Sequence, residues 1–288
     1  MVIEPKHRGR VVIPAIVRRA LGTRNVVVGL AILIPMVLLV LIGPELTPHS
    51  VRGTNVIDRY LGPSTTYWLG TDHHGRDLLT RTLAGGRISL LMGTSAVLLA
   101  LSLGVPIGLY SGYKGAKIDE VTMRSMDILM SFPTIILALL IIAGLGTSLW
   151  NAVLAVGIVY TPRIARVVRG ETISLVNEEF IDAARVRNES DSYIIFREIL
   201  PNISGPIIVE ASIRVGYAIL ILASLSFLGL GAQPPTPDWG YMVAEARGHM
   251  YQTPWYLLAP SVAITLTIVS LNVLGDGLRD LLDVKNTD

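Results

Sequence analysis

Few side chains in this 288-residue sequence could carry chemistry of their own. Cysteine is absent, which removes disulfides, thiolate metal sites and thiol nucleophiles together. His73 and His74 form a tempting metal pair. Successive residues do not share a helix face and no H-E-x-x-H zinc motif is present. Both are expected to be solvated loop histidines, and no metal ligand set is expected. The sequence also lacks the G-x-x-x-x-G-K-[ST] phosphate loop, whose backbone amides and lysine cradle a nucleotide. Ala84-Gly85-Gly86-Arg87 has the look of an ATPase signature fragment but no phosphate-loop partner, so it is set aside. No catalytic residue, and no cofactor held by this chain, is therefore expected.

The remaining polar residues are placed for contact. Glu210 and Arg214 lie four apart, on one helix face where they can pair. Residues 163–202 form the largest charged block, in which Phe180, Ile181 and Ala184, then Tyr193, Ile194, Phe196, Ile199 and Leu200, recur with helical spacing. Glu178 and Glu179 precede Arg185 and Arg187, the charge order that suits the helix dipole. Asn188 tolerates the left-handed conformation that ends a helix, and Pro201 is expected to stop the second piece. The pattern predicts two short helices joined by a tight turn on a membrane surface. Small Ala183 and Ala184 would let another protein approach closely. A solvated amphipathic loop without a partner has the same pattern.

The elements that position these residues follow from where charge is missing. Hydrophobic residues make up 51% and charged residues only 16%, with a mean hydropathy of +0.56. Soluble domains carry about 25% charged residues, and disordered chains are richer in charge still. A net charge of +2 is too small to argue for nucleic acid. Lipid is the expected solvent. A bilayer crossing needs about 20 mostly apolar residues. Asn25 to Pro44 and Ile88 to Tyr113 supply two spans. Ile128 to Pro162 supplies a hairpin of two, turning at Gly144–Ser148. Val215 to Pro237, extended upstream toward Asn202, and Gly248 to Gly275 supply the last two.

No ionisable residue sits near the centre of a span, which argues against an intrinsic proton or ion relay. Gly104, Gly108 and Gly112 repeat every four residues, a ridge for close helix packing or for a contact that moves in gating. Pro106 and Pro133 are expected to kink their helices, as static bends or as hinges. The Pro-rich stretch 233–237, with Trp239 and Tyr241 at interfacial depth, reads as a loop that re-enters as a short helix. Arg76 and Asp77 are expected on a surface helix before the second span.

Lys6, Arg8, Arg10, Arg18, Arg19 and Arg24 precede the first span against a single Glu4. By the positive-inside rule this end stays in the cytoplasm. Alternating crossings then put 44–86 and 231–254 outside, and 163–202 and the C-terminus inside. The four arginines of 44–86 sit awkwardly with that rule.

Asp182-Ala183-Ala184, followed by Asn188 and Leu200-Pro201, resembles the Glu-Ala-Ala loop of ABC importer permeases, with Asp for Glu and Asn for Gly. Leu69-Gly70-Thr71-Asp72, Gly75-Arg76-Asp77, Gly86-Arg87-Ile88-Ser89-Leu90 and Met123-Arg124 through Phe132-Pro133 resemble the dipeptide/oligopeptide/nickel permease family. So do Ser224–Gly231 with Gln233–Pro237 and Trp239-Gly240, and Leu274–Asp280. The similarity covers about residues 14–283 and is closest to the C-type subunit.

The resemblance implies an all-α integral membrane protein with six transmembrane helices, a type I ABC importer (MetI-like) permease fold with cytoplasmic coupling helices. It implies residues 1–85 as flank, first span and external region, 86–280 as the transmembrane domain and 281–288 as a cytoplasmic tail. It implies import of dipeptides or oligopeptides across the cytoplasmic membrane of a prokaryote, with nickel or another metal chelate as the alternative cargo. Implied partners are a second homologous permease, two ABC ATPase subunits that use ATP and Mg, an extracytoplasmic substrate-binding protein and the bilayer, with no nucleic acid. Glu179, Asp182, Ala183, Ala184, Arg185, Arg187, Asn188, Leu200 and Pro201 would couple to the ATPases. Gly104, Gly108, Gly112, Pro106 and Pro133 would pack or gate, and Arg76, Asp77, Pro234, Pro235 and Trp239 would face the binding protein. A membrane enzyme would need acids or histidines inside the spans, and a passive channel or anchor leaves the 163–202 segment without a role.

Overall fold

A computed structural model describes residues 22–283. The N-terminal basic residues Lys6 to Arg19 and the tail 284–288 lie outside the described residues. The first long helix, α1 (Arg24–Leu46), matches its apolar run. Helix α2 (Leu78–Lys114) starts ten residues earlier than the apolar run beginning at Ile88, because Asp77 caps it. The Asp77 carboxylate accepts from the Thr80 amide at 2.8 Å and its hydroxyl at 2.5 Å, satisfying an amide that a helix start otherwise leaves open. Arg76 and Asp77 therefore end a loop, and the expected surface helix is not present.

The hairpin expected over Ile128–Pro162 turns at Gly144–Ser148 as expected, but its first limb is built differently. An amphipathic helix, α3 (Ala116–Met130), meets the short α4 (Thr134–Leu145) at 90° across Ser131-Phe132-Pro133. Pro133 occupies the N-cap of α4, so it breaks the chain direction where a kink was expected. Twelve residues rise only about 18 Å, short of the roughly 30 Å hydrocarbon core. Helix α5 (Leu149–Leu175) continues well past Pro162 into the charged block. After α6 (Glu179–Val186) come α7 (Asp191–Tyr193), a π-helical turn (Ile194–Ile199) and α8 (Leu200–Asn202). Pro201 does not stop this piece. It enters the first turn of α8, where a missing amide costs nothing, and the break falls at Ile203 (φ −100°, ψ 5°). Helix α9 (Ser204–Phe227), the short α10 (Trp239–Arg247) and α11 (Trp255–Asp283) complete the order.

Among the described residues five helices are long and apolar enough to cross a membrane, and the bent α3–α4 pair counts as a sixth span if taken as one. The α2–α5 pair is the most closely packed, with α9 laid against both and α11 beyond it. Helix α1 lies outermost, against α11 and α2. The glycine ridge makes the α2–α5 contact. A Cβ on Gly108 would stand 2.4 Å from the Ala165 carbonyl oxygen and 2.7 Å from the Val168 Cβ. Gly104 and Gly112 press likewise on Thr161 and Thr172. The helices meet backbone to backbone, as small residues allow in a bilayer.

Candidate functional site

Two regions gather the polar residues. The first is α6 and the turn after it. Ile181 and Ala184 point inward, both at 0% exposure, and join Ile194, Ile195 and Ile199 in the main core. Glu179, Asp182, Ala183, Arg185 and Arg187 face out. The helix ends as a Schellman motif: Glu189 donates to the Ala184 carbonyl at 3.2 Å and Asn188 to that of Arg185 at 2.9 Å, with Asn188 at φ 60°. The left-handed turn expected at Asn188 is present. Of the two alanines only Ala183 is open to another protein. Ala184 is covered by the chain's own isoleucines, so its smallness serves internal packing.

Ion pairs run along α6 and the turn after it. Arg185 reaches Asp182 at 2.9 Å, and Arg187 reaches Glu198 at 3.3 Å and Glu189 at 3.5 Å. The Tyr113 hydroxyl donates to Asp191 at 2.9 Å, and Lys114 pairs with the same carboxylate. The end of α2 thus holds the start of α7. Glu210 and Arg214 pair at 2.5 Å as their spacing predicts, with the guanidinium 6.0 Å from the Tyr160 ring centre. Arg166 pairs with Asp127 and ties α5 to α3.

The second region is a cap, residues 47–77, packed on α10 and the start of α11. Asp72, fully buried, is its hub. Its Oδ1 accepts from the amides of His74 (2.8 Å) and Arg76 (3.0 Å), and its Oδ2 meets the Arg76 Nε at 2.5 Å. Arg76 continues to Glu245 at 3.3 Å, and Arg81 bridges Glu245 at 2.8 Å and Asp72 at 3.4 Å. Arg76 is thereby consumed by an internal cluster. Removing one member of such a buried network costs about 3–5 kcal/mol, because the charge left behind has no solvent. Gly75, at φ 72°, sits where a Cβ would be 1.7 Å from the Asn55 carbonyl oxygen, so only glycine closes this turn.

His74 is exposed as expected, but His73 is half-buried. His73 stacks on His249 at 4.9 Å, lies 3.9 Å from the His74 ring, and has its Nδ1 2.9 Å from the Tyr256 hydroxyl. Burial, then His74, pushes His73 below its ordinary pKa, against the pull of Asp72 and Glu245. Among the described residues no group of three or more acidic or histidine side chains is arranged to hold a metal.

Trp239 does not sit at an interface. It is fully buried, its Nε1 donating to the Thr82 carbonyl at 2.8 Å and its amide to the Ser89 hydroxyl at 3.1 Å. The short helix expected after the Pro-rich stretch, α10, is present. Its cap, Asp238, accepts from the amides of Gly240 (2.9 Å) and Tyr241 (3.3 Å) through Oδ1, while Oδ2 is buried without a partner. Burial lifts this carboxyl to about 6 against the pull of the two amides and of the nearby Ser226 hydroxyl. Pro234 and Pro235 are exposed.

Arg81, Asp238, Glu245, His249 and Tyr256 escaped the sequence reading, and Asp72 entered it only within the Leu69-Gly70-Thr71-Asp72 motif. Arg81 carried one signal: a charge just inside the apolar segment that follows Asp77 needs a counter-charge. Glu245, the lone acid of α10, is that partner. Nothing in the spacing joins residues 164 positions apart.

The family model described as "Binding-protein-dependent transport system inner membrane component" matches residues 104–287. The chain is 46% identical over 259 residues to the dipeptide transport system permease protein of Alkalihalophilus pseudofirmus, covering 90% of this chain and 85% of that protein. It is 47% identical over 224 residues to the glutathione transport system permease protein of Pectobacterium atrosepticum, covering 78% and 74%. It is 40% identical over 264 residues to the probable D,D-dipeptide transport system permease protein of Escherichia coli, covering 92% and 89%. Among solved structures, an inward-facing form of the MetNI methionine ABC transporter superposes with a TM-score of 0.57 at 21% identity, covering 69% of this chain and 94% of that one. That likeness concerns the fold.

Proposed function

This chain belongs to the inner-membrane components of binding-protein-dependent transport systems, and from that premise we propose that it is the permease subunit of an ATP-driven importer of dipeptides or oligopeptides. The two-faced α6 carries the reading: isoleucine and alanine inward, charge and one small residue outward, at the end of two long helices. An ATPase subunit receives Ala183 in a groove, with Glu179, Asp182, Arg185 and Arg187 as its charged rim. Ala184, Asn188, Leu200 and Pro201 hold α6 in place from behind. ATP and Mg belong to the two partner ATPases. Closure of the ATPase pair moves α6, and with it α5 and α9, against the Gly104–Gly108–Gly112 seam. Pro106, inside α2, and Pro133, at the α3–α4 bend, are the positions where that motion is absorbed.

A second homologous permease completes the path. In the proposed orientation both termini are cytoplasmic, residues 1–85 form the flank, first span and outer region, 86–280 the transport core and 281–288 the tail. The cap then faces the binding protein. Exposed Pro234 and Pro235 are placed to touch it, while Arg76, Asp77 and Trp239 act from below by holding the cap and α10 together. Peptide cargo is favoured by the relatives named for dipeptides and glutathione. Replacing Ala183 with Arg tests the coupling. Uptake of a labelled dipeptide and co-purification of the ATPase should both fall about 30-fold, as for an interface hot spot, with membrane insertion unchanged. Normal uptake in that variant sinks the assignment.

A further inference from the structure

Helices α1 and α11 touch along their length but leave one open groove of about 400 Å³ between them. Its walls run from Ala31 to Val40 on α1 and from Ala259 to Leu266 on α11, with Leu83 and Trp239 as the floor. At 1.5 Å per residue these walls are about 14 Å and 11 Å long, close to half of a 30 Å hydrocarbon core. The groove is therefore one leaflet deep. Thr82 is the only polar residue in its lining. It is closed on the α2 side, since a Cβ on Gly86 would meet Val40 at 2.6 Å and Trp239 at 2.7 Å, and one on Gly43 would meet Leu83 at 2.6 Å.

The end nearest the cap is polar. Arg87 donates from Nε to the Val40 carbonyl at 3.0 Å, bonds the Leu41 carbonyl and pairs with Glu45. Its side chain remains 35% exposed. A cation thus stands beside one wall of an apolar slot, at the level where the apolar run of α1 gives way to Glu45. A helix, about 10–12 Å across with its side chains, overfills this volume over the same length. A single hydrocarbon chain does not.

We propose that the groove holds one acyl chain of a glycerophospholipid from the cap-side leaflet, with the phosphate on Arg87. The chain fills the space that small Ala259 and Ala263, one turn apart, leave beside Met36 and Val40. The phosphate accepts from the guanidinium in competition with Glu45. This proposal needs only that the chain spans a membrane, and stands apart from the transport reading.

Native mass spectrometry of the full-length protein, released from nanodiscs of palmitoyl-oleoyl phosphatidylglycerol, tests it. One lipid per chain should survive detergent washing in the wild type. Ala263→Trp, which fills the slot, should reduce retention about tenfold or more, equivalent to 1.4 kcal/mol. Ala259→Leu is the milder filler and decides the matter if Ala263→Trp fails to give monodisperse protein; it should reduce retention severalfold. Arg87→Gln should weaken retention of the phospholipid but leave binding of the uncharged diacylglycerol with the same chains unchanged. Absence of a retained lipid in the wild type, or equal retention in the groove variants, overturns the proposal. Equal phospholipid retention in Arg87→Gln removes the phosphate site.

Discussion

Asp238 shows how much one side chain can set. Its Oδ1 organises the first turn of α10, while its Oδ2 is buried unpaired. Burial raises the carboxyl from 3.8 to about 6, so the native state favours the protonated form. For a pKa raised on folding, the associated stability is complete below the unfolded value and is lost as pH rises through the folded one. The wild type should therefore lose up to about 3 kcal/mol from this site between pH 4 and 7. Asp238→Asn keeps the cap oxygen and removes the charge. Its melting temperature should vary less over that range, as thermal melts in detergent will show; an unchanged pH profile rejects the assignment. Asn188 is the opposite case, a residue whose φ of 60° was legible because few side chains tolerate that turn.

At the scale of elements, the glycine ridge was legible and its partner was not. Spacing of four announces a close packing face, but nothing local says that the face meets α5, on the far side of α3 and α4. The contact now ranks the glycines. Gly108→Val places a Cβ 2.4 Å from a backbone oxygen that cannot step aside. It should cost at least about 3 kcal/mol, at the upper end of overpacking. Gly216→Ala meets nothing nearer than 3.7 Å and should leave the stability within about 0.5 kcal/mol of the wild type. Thermal melts of the pair check both values. The α3–α4 bend was misread for a related reason. An unbroken lack of charge from Ile128 to Pro162 registers hydropathy alone, whereas Pro133 at an N-cap redirects the chain.

At the scale of the molecule, the cap is joined to the helices by two side-chain clusters: the ion pairs of Asp72, Arg76, Arg81 and Glu245, and the rings of His73, His74, His249, Tyr60 and Tyr256. His73 has its pKa lowered by folding, so the stability it contributes is present above 6.5 and is lost as pH falls through the depressed value. Asp72 and Glu245 draw a proton toward it, and His74 and Arg76 oppose one. Hydrogen-exchange protection factors across 47–77, corrected for the slower intrinsic exchange at low pH, should fall at pH 5 relative to pH 7.5, while the α2–α5 core stays protected. His73→Asn should blunt that difference. Equal protection of the cap at both pH values counts against the clamp.

The sequence by itself determined the solvent, the number of apolar segments, the two-helix segment after α5 and the absence of a phosphate loop, because each is a matter of local composition or period. Its motifs also pointed to the right family. Only the tertiary structure decided which faces those segments show. Ala184 turned inward, Trp239 went from interface to core, and Arg76 and Asp77 became internal supports. Burial depends on what another part of the chain brings, and the partners here, from Arg81 and Glu245 to His73 and His249, lie more than 160 positions apart.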